Sequence, residues 1–470
     1  MKATKNGLSR RRFLQAAALS AVSGSMLGTT GLLQRAQAAA TLGTKGSGYR
    51  ALVCILLEGG ADSYNMLVPR LAGTGNPATD YNVYTQTRQN MAVGYNEQNG
   101  TWNPGSILTL NGTDMGLNPD MPGMQSLFNS NRLAVVANVG SMIEPVTKSQ
   151  ILGGSANLPP QLFSHSDQSV QWQKAHSDSV ENRGWFGRVA DLLSSMNAPG
   201  PSMNISVIGN NVIQVGQSVF PYSIGTDGPV GIDTGWDPDG NRLATVEALM
   251  ATADNIYASE HAVIKGRAQD NFEMINAALD AATPLATVFP DTWLGQQLHM
   301  VARMIGIRSA LGVSRQTFVV GNWGWDTHDG QNANLPGLLQ DLDGAAAAFD
   351  AALQELNAPG QNNVSSNVTT FTQTEFSRTL NSNGNGTDHG WGGHQFVMGD
   401  AVAGGQIYGT LPDLTLEGPD DIDRGRIVPT LSVEQYAATL ASWLGVQSGD
   451  LANVFPNLGN FSSSDLGFMV

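Results

Sequence analysis

An apolar run, Ala51–Leu57, stops abruptly at Glu58-Gly59-Gly60 and is followed by Asp62. A run this short and β-branched, with no polar alternation, suits a strand buried on both faces. Such a strand needs helices above and below it, and the rest of the chain supplies them. Further strand-like runs fall at Arg132–Val139, Met203–Ile208, Gln316–Val320, Asn367–Thr372 and Gln395–Met398. Helical periods lie between and after them, at Met121–Asn129, Gln161–Lys174, Trp185–Ser195, Ala244–Ala282, Thr292–Leu311, Leu335–Leu356 and Ser432–Leu444. The alternation predicts an α/β fold: a doubly wound, mostly parallel sheet with helices on both faces and long loop insertions. The longest insertion runs from Gly59 to about Pro122 and is rich in Gly, Asn, Thr and Tyr.

The first residues read as an address rather than as structure. Ser9-Arg10-Arg11-Arg12-Phe13-Leu14 has the twin-arginine form, an Ala/Leu/Gly-rich stretch follows, and Ala36-Gln37-Ala38 offers a small-residue cleavage site. Residues 1–38 are therefore expected to be a signal peptide read by the twin-arginine translocase, and 39–470 a single domain. Cleavage would leave no stable membrane anchor and a periplasmic or secreted protein. Twin-arginine substrates cross already folded, which suits a protein that loads a metal first. The leader holds six of the 24 basic residues, so 18 remain against 39 acidic ones and the mature net charge is about −21. Nucleic acid is excluded as a partner on that balance, because phosphate binding needs a basic face. The single Cys54 rules out an internal disulfide, and its place inside the apolar run makes it a core residue rather than a nucleophile.

In a doubly wound sheet, ligands gather beyond the carboxyl ends of the strands. Asp62, Asp326, His328, Glu375, Asp388 and His389 all follow expected strands at that edge. Asp326 and His328 stand two apart, so in an extended segment both face one way. Asp388-His389 is set among glycines, and His394 lies five residues on, either completing a site or starting a strand. Asp62 follows two glycines that let the chain bend sharply. Glu375 is a ligand or a supporting acid, and Arg378 a clamp for a substrate oxyanion or simply its salt-bridge partner. Ser164 and Ser166 flank His165 where a helix is expected to open, so either hydroxyl is a candidate nucleophile as well as an ordinary cap. His176, His261 and His299 read as structural. Mixed carboxylate and imidazole donors point to one or two divalent ions, Zn, Mn, Mg or Ca.

Several of these segments occur in a set order: the leader, Gly59-Gly60-Ala61-Asp62-Ser63-Tyr64-Asn65, Trp325-Asp326-Thr327-His328, Thr374-Glu375-Phe376-Ser377-Arg378-Thr379 and Thr387-Asp388-His389-Gly390. Together they resemble the exported bacterial domain-of-unknown-function family 1501, which is similar in fold to the alkaline phosphatase and sulfatase superfamily. The resemblance implies an alkaline-phosphatase-like sheet with a metal site at its carboxyl edge. It implies Asp62, Asp388 and His389 on one ion and Asp326, His328 and His394 on another. It also implies an exported metal-dependent hydrolase of phosphate or sulfate esters, acting on a small-molecule or polymer substrate. The competing expectation is a non-catalytic secreted protein that keeps the fold and binds a surface polymer or partner.

Overall fold

The computed structural model describes residues 48–96, 98–232, 241–252, 255–357 and 363–470. The expected signal peptide, 1–38, lies outside the described residues. The main sheet has nine strands. In chain order the strands used here are β1 (Arg50–Glu58), β2 (Leu133–Gly140), β3 (Asn204–Ser206), β4 (Tyr222–Ser223), β5 (Arg315–Trp323), β6 (Val368–Gln373), β7 (Arg378–Ser382), β8 (Thr387–His389), β9 (Gly393–Met398), β10 (Ile407–Tyr408) and β11 (Leu431–Ser432). The sheet order is β10-β2-β9-β6-β1-β5-β3-β4, with β11 also paired to β2, while β7 and β8 form a separate hairpin. Every ladder in the main sheet is parallel except those of β9, which runs antiparallel to both β6 and β2.

The burial of β1 explains the two layers of helices. Ala51, Val53, Ile55 and Leu57 join a core cluster with Met124, Leu298 and Leu339, which come from α2 (Pro122–Asn129), α7 (Trp293–Gly306) and α8 (Gln331–Glu355). Leu52, Cys54 and Leu56 point the other way. They join Trp172, Trp185 and Tyr436 from α3 (His165–Lys174), α4 (Trp185–Leu193) and α9 (Val433–Leu444). The period of two along the strand thus feeds two separate apolar layers, which is what a two-faced buried strand requires. Cys54 is fully buried, as its place in the run implied, and burial pushes its thiol up. Among the described residues, no helix is long and apolar enough to cross a membrane.

Four sequence expectations need correction. The Ala-rich stretch Ala244–Ala282 forms two helices, α5 (Asn241–Ala251) and α6 (Ile256–Ala281), with the Asn255 side chain capping the second. The helix after Pro160 starts at His165 rather than Gln161, because Gln161 and Phe163 adopt positive φ (52° and 70°). Asp388 and His389 do not follow a strand of the main sheet but lie inside the hairpin strand β8. The excursion after β1 is also less irregular than its composition suggests: it contains α1 (Tyr81–Arg88) and a small three-stranded sheet.

α9 begins as expected at Ser432, whose hydroxyl accepts from Gln435 N–H at 3.1 Å while the Gln435 side chain accepts from Ser432 N–H. Its first turn carries the buried Glu434, whose carboxyl burial pushes up to about 8 against the pull of Asn457 and Arg188. His394 is shifted the opposite way, down to about 3 by burial. Between an unfolded carboxyl near 4.5 and about 8, the folded chain keeps a Glu434 proton that the unfolded chain has lost, so stability falls as pH rises through that window. Below about 6.5 the unfolded chain gains a His394 proton that the folded chain refuses, so stability also falls on acidification. Glu434→Gln is expected to leave stability at pH 4 nearly unchanged and to raise it by a few kcal/mol, on the order of magnitude of the shift, at pH 9. Urea titration of both proteins at the two pH values checks this. Equal destabilisation of wild type and variant on going to pH 9 would contradict it.

Candidate functional site

The central strands deliver their carboxyl ends side by side. Glu58 pairs with Trp323 and Leu56 with Gln373, so the segments after β1, β5 and β6 leave the sheet together. The turn after β1 must pass beneath the Trp325–Asp326 backbone. Gly59 has φ +123°, and a Cβ there would lie 2.4 Å from Asp326 N. Gly60 has φ +79°, and the Phe376 ring fills the place of its Cβ. Only glycine fits both demands. The Gly59 peptide then anchors the site from both ends: its N–H donates to Glu375 Oε1 at 2.9 Å, and its carbonyl accepts from Arg378 Nη1 at 3.2 Å.

Three imidazoles converge above this turn. His389 Nε2 lies 2.9 Å from His165 Nε2 and 2.8 Å from His328 Nε2. The Asp326 carboxylate closes the group, with Oδ2 3.4 Å from His165 Nε2, and Oδ1 3.2 Å from His328 Nε2 and 3.5 Å from His389 Nε2. Each ring is held from behind through Nδ1. His389 donates to the Phe163 carbonyl at 2.7 Å, His165 pairs with Glu375 at 2.8 Å, and His328 with Asp388 at 3.1 Å. A carbonyl has no proton to give and a carboxylate is an acceptor, so the Nδ1 atoms carry the protons. In the neutral rings, all three Nε2 lone pairs therefore face one another.

That arrangement has a definite chemistry. With protons alone, His165 and His328 would both have to become imidazolium and share the one lone pair of His389. A divalent cation accepts all three lone pairs and the Asp326 charge at once. Imidazole ligands held from behind by carboxylates or backbone carbonyls are the usual form of such a site. Donors about 2.0–2.1 Å from a tetrahedral zinc ion stand roughly 3.3 Å apart. Here His389 Nε2 and the Asp326 carboxylate lie 2.8 to 3.5 Å from their neighbours, and the ligand atoms of His165, Asp326 and His389 all lie within 4.8 Å of one another. The donors of His165, Asp326 and His389 fit one divalent ion, and His328 stands beside them against His389 and Asp326.

The surrounding charges agree with that use. The Glu375 hydrogen bond raises the His165 pKa, while burial lowers that of His389. Burial works against the charge on Asp326, but Arg378, donating to Oδ1 at 2.7 Å, holds the carboxyl below its usual range. Asp388 is likewise held low, against burial, by Asn383 and His328. Phe376 stacks on His389 with ring centres 4.8 Å apart, so the cluster has an apolar floor. Its upper side is open, with Asp326 45 % and His328 41 % exposed.

The structure divides the residues picked from the sequence. Asp326, His328 and His389 meet at one point. Glu375 and Asp388 stand behind them as supports of His165 and His328. Arg378 is fully buried, with its guanidinium on Asp326, Gly59 O and Thr387 O, so it orients the carboxylate rather than clamping a ligand in the open. Asp62 is withdrawn: it is fully buried, paired with Arg88 and accepting from Gln331 Nε2 at 2.5 Å. A guanidinium occupies its ionic partnership, so it contacts none of the three rings. His394 is also apart. Its Nδ1 accepts from Asn138 N–H at 3.2 Å, and its ring lies edge-on to Tyr64 in the core. Ser164 and Ser166 stand beside His165 at the start of α3, and Ser164 Oγ donates to Asp167 Oδ2 at 2.6 Å.

Sequence reading missed His165 as a member of the cluster, and Arg88 and Gln331 as the partners of Asp62. The signal for His165 was present: a histidine between the two candidate serines, at a helix start.

The fold and the cluster define a mostly parallel α/β protein with a three-histidine, one-carboxylate centre at the carboxyl edge of its sheet. The chain belongs to the family described as "Protein of unknown function (DUF1501)", which it matches over residues 49–437. No curated protein matches it. Among solved structures it is similar to Ps i-CgsB, at 9% identity and TM-score 0.34, over 88% of this chain and 77% of that one. The same protein in complex with k-i-k-neocarrahexaose gives a TM-score of 0.32 at the same identity and coverage. Likeness at that level carries no argument about this chain.

Proposed function

We propose that this protein is an exported hydrolase of phosphate or sulfate esters that works with one divalent ion held by His165, His328, His389 and Asp326. The observation that carries the reading is the convergence of three Nε2 atoms whose rings are each bonded outward through Nδ1. An ion there supplies Lewis-acid polarisation of an ester oxygen. An imidazole-rich donor set favours Zn over Mn, Mg or Ca, which suit oxygen ligands. Two ions are not part of the proposal, because Asp62 is committed to Arg88.

The protein's own groups take the remaining roles. Glu375, Asp388 and the Phe163 carbonyl fix ring orientation. Arg378 fixes the Asp326 carboxylate and spreads positive charge beneath it. The Ser164 hydroxyl, one residue from His165, already donates to Asp167, a carboxylate able to take its proton as the oxygen attacks. Ser166 is exposed beside it and lies 3.2 Å from Ser164 Oγ. The alkaline-phosphatase-like assignment and export by the twin-arginine translocase belong to the same proposal. They rest on the ordered motifs and the Ser9–Leu14 leader.

Purified protein should carry about one divalent ion per chain and hydrolyse an aryl phosphate or aryl sulfate. A chelator should abolish turnover, and Zn should restore it. Ser164→Ala should lower kcat by about a hundredfold or more with the ion retained. An ion-free protein without chelator-sensitive turnover would sink the proposal. A bound ion without any ester turnover would favour the non-catalytic binding protein instead.

A further inference from the structure

Beside the histidine cluster lies a cleft with a different chemistry. One part, about 320 Å³, is lined by Asn65, Asn90, Tyr95, Asn118 and Asn332 among others. A second part, about 500 Å³, shares Gly94 and Tyr95 with the first and adds Asn96, Gln98, Asn103 and Ser106. The two share the Gly94–Tyr95 wall, and each is of a size that accommodates small ligands. Among the described lining residues the only charged side chain is Asp120, which already accepts from Gln340 Nε2 at 2.8 Å. Asn65 and Asn118 are buried and spend their amides within the fold. The carboxamides open to a ligand are therefore Gln98 and the remaining groups of Asn90, Asn96, Asn103 and Asn332, which donate and accept without net charge.

An aromatic wall borders this amide lining. Tyr95 and Trp102 pair across a short hairpin, with ring centres 5.5 Å apart. Trp102 is 42% exposed, yet its indole N–H is fixed on the Gln89 carbonyl at 3.0 Å. An exposed indole with its polar edge already satisfied presents an apolar face of fixed orientation.

Hydrogen bonds tie the cleft to the cluster. Asn332 Nδ2 donates to Asn90 O at 3.0 Å, and Asn90 Nδ2 to Gly384 O at 2.9 Å. The adjacent Asn383 Nδ2 reaches Asp388 Oδ1 at 3.2 Å and His328 O at 3.0 Å. One turn of chain, 383–386, thus separates the cleft from two residues of the metal cluster and its support.

We propose that this cleft binds an uncharged oligosaccharide and leads it to the histidine cluster, so that the ester cleaved is carried on a glycan. Sugar hydroxyls both donate and accept, which matches carboxamides. The C–H faces of a pyranose match an exposed indole. Among the described lining residues a polyanion would find no cationic side chain, and an acidic peptide no counter-charge. The saccharide assignment stands on the cleft alone; the glycan ester rests on the hydrolase reading.

The test uses the mature protein, with and without its ion, on an array of neutral glycans. Affinities then come from calorimetry with the hexasaccharides that bind. Binding of at least one neutral oligosaccharide is expected whether or not the ion is present. Trp102→Ala should weaken it by about tenfold, the effect of losing one aromatic contact. Trp102 lies just outside the lining, against Tyr95; Trp293→Ala, at an exposed indole with no such pairing to a lining residue, should leave binding unchanged. Thermal melting and metal content of the Trp102 variant should match wild type. The proposal is overturned if no neutral glycan binds. It is equally overturned if Trp102→Ala and Tyr95→Ala leave binding intact, or if dextran sulfate or a peptide binds in preference. Glycan binding that persists without any ester turnover leaves the cleft assigned and removes only the hydrolase reading.

Discussion

His389→Ala is expected to abolish ion binding while the fold survives. His389 Nε2 is the atom that faces both other rings, so its loss removes the centre of the donor set. Replacing a group that merely supports a ligand costs roughly 10–100-fold in metal affinity, which sets the scale for Glu375→Gln and Asp388→Asn. His389→Ala should exceed that range, with metal content falling from about one ion per chain to near zero. The variant also removes a crowding of lone pairs that a bound cation or added protons would relieve. Its melting temperature in excess chelator should therefore equal or exceed that of wild type in the same chelator. Elemental analysis and paired melting curves read both outcomes. A variant that keeps its full ion content would show that the three rings do not act together.

The second large effect concerns Asp62 and tests the reassignment of that residue. Asp62 and Arg88 are both fully buried, and Asp62 Oδ1 has no hydrogen-bond partner among the described residues. Removing one member of a buried pair strands the other charge, at a cost of roughly 3–5 kcal/mol. Arg88→Ala should lower stability by that amount, because Gln331 alone cannot balance the carboxylate. The double change Asp62→Leu with Arg88→Met should cost less than either charge-stranding single change, since it leaves no orphan. Metal content should stay near wild type in all of these proteins that fold. If Asp62→Asn instead strips the ion with little loss of stability, Asp62 is a ligand and the one-ion proposal is wrong.

Much of the fold was legible from local pattern. β1, β2, β6, β9 and the start of α9 fall within a residue or two of the expected places. Each is a largely buried strand or a helix whose cap is written in the adjacent residues. The break between α5 and α6 was missed because Ala-rich sequence satisfies helical periodicity on both sides of it. The hairpin β7–β8 was missed because its residues are polar and glycine-rich. It holds together through pairing of Arg378 with His389 and Ser382 with Thr387, not through an apolar period.

For the site, the sequence by itself determined part of the inventory: Asp62, Asp326, His328 and Glu375 follow main-sheet strands, whereas His165 opens a helix and Asp388 and His389 lie in the hairpin. Strand ends are set by local composition, and in a parallel sheet all such ends fall on one side. Only the tertiary structure decided which of those groups meet. Residues as far apart as His165 and His389 converge, Arg88 claims Asp62, and His394 turns into the core. Such pairings depend on where whole segments cross in space, and no local pattern encodes a distance between them.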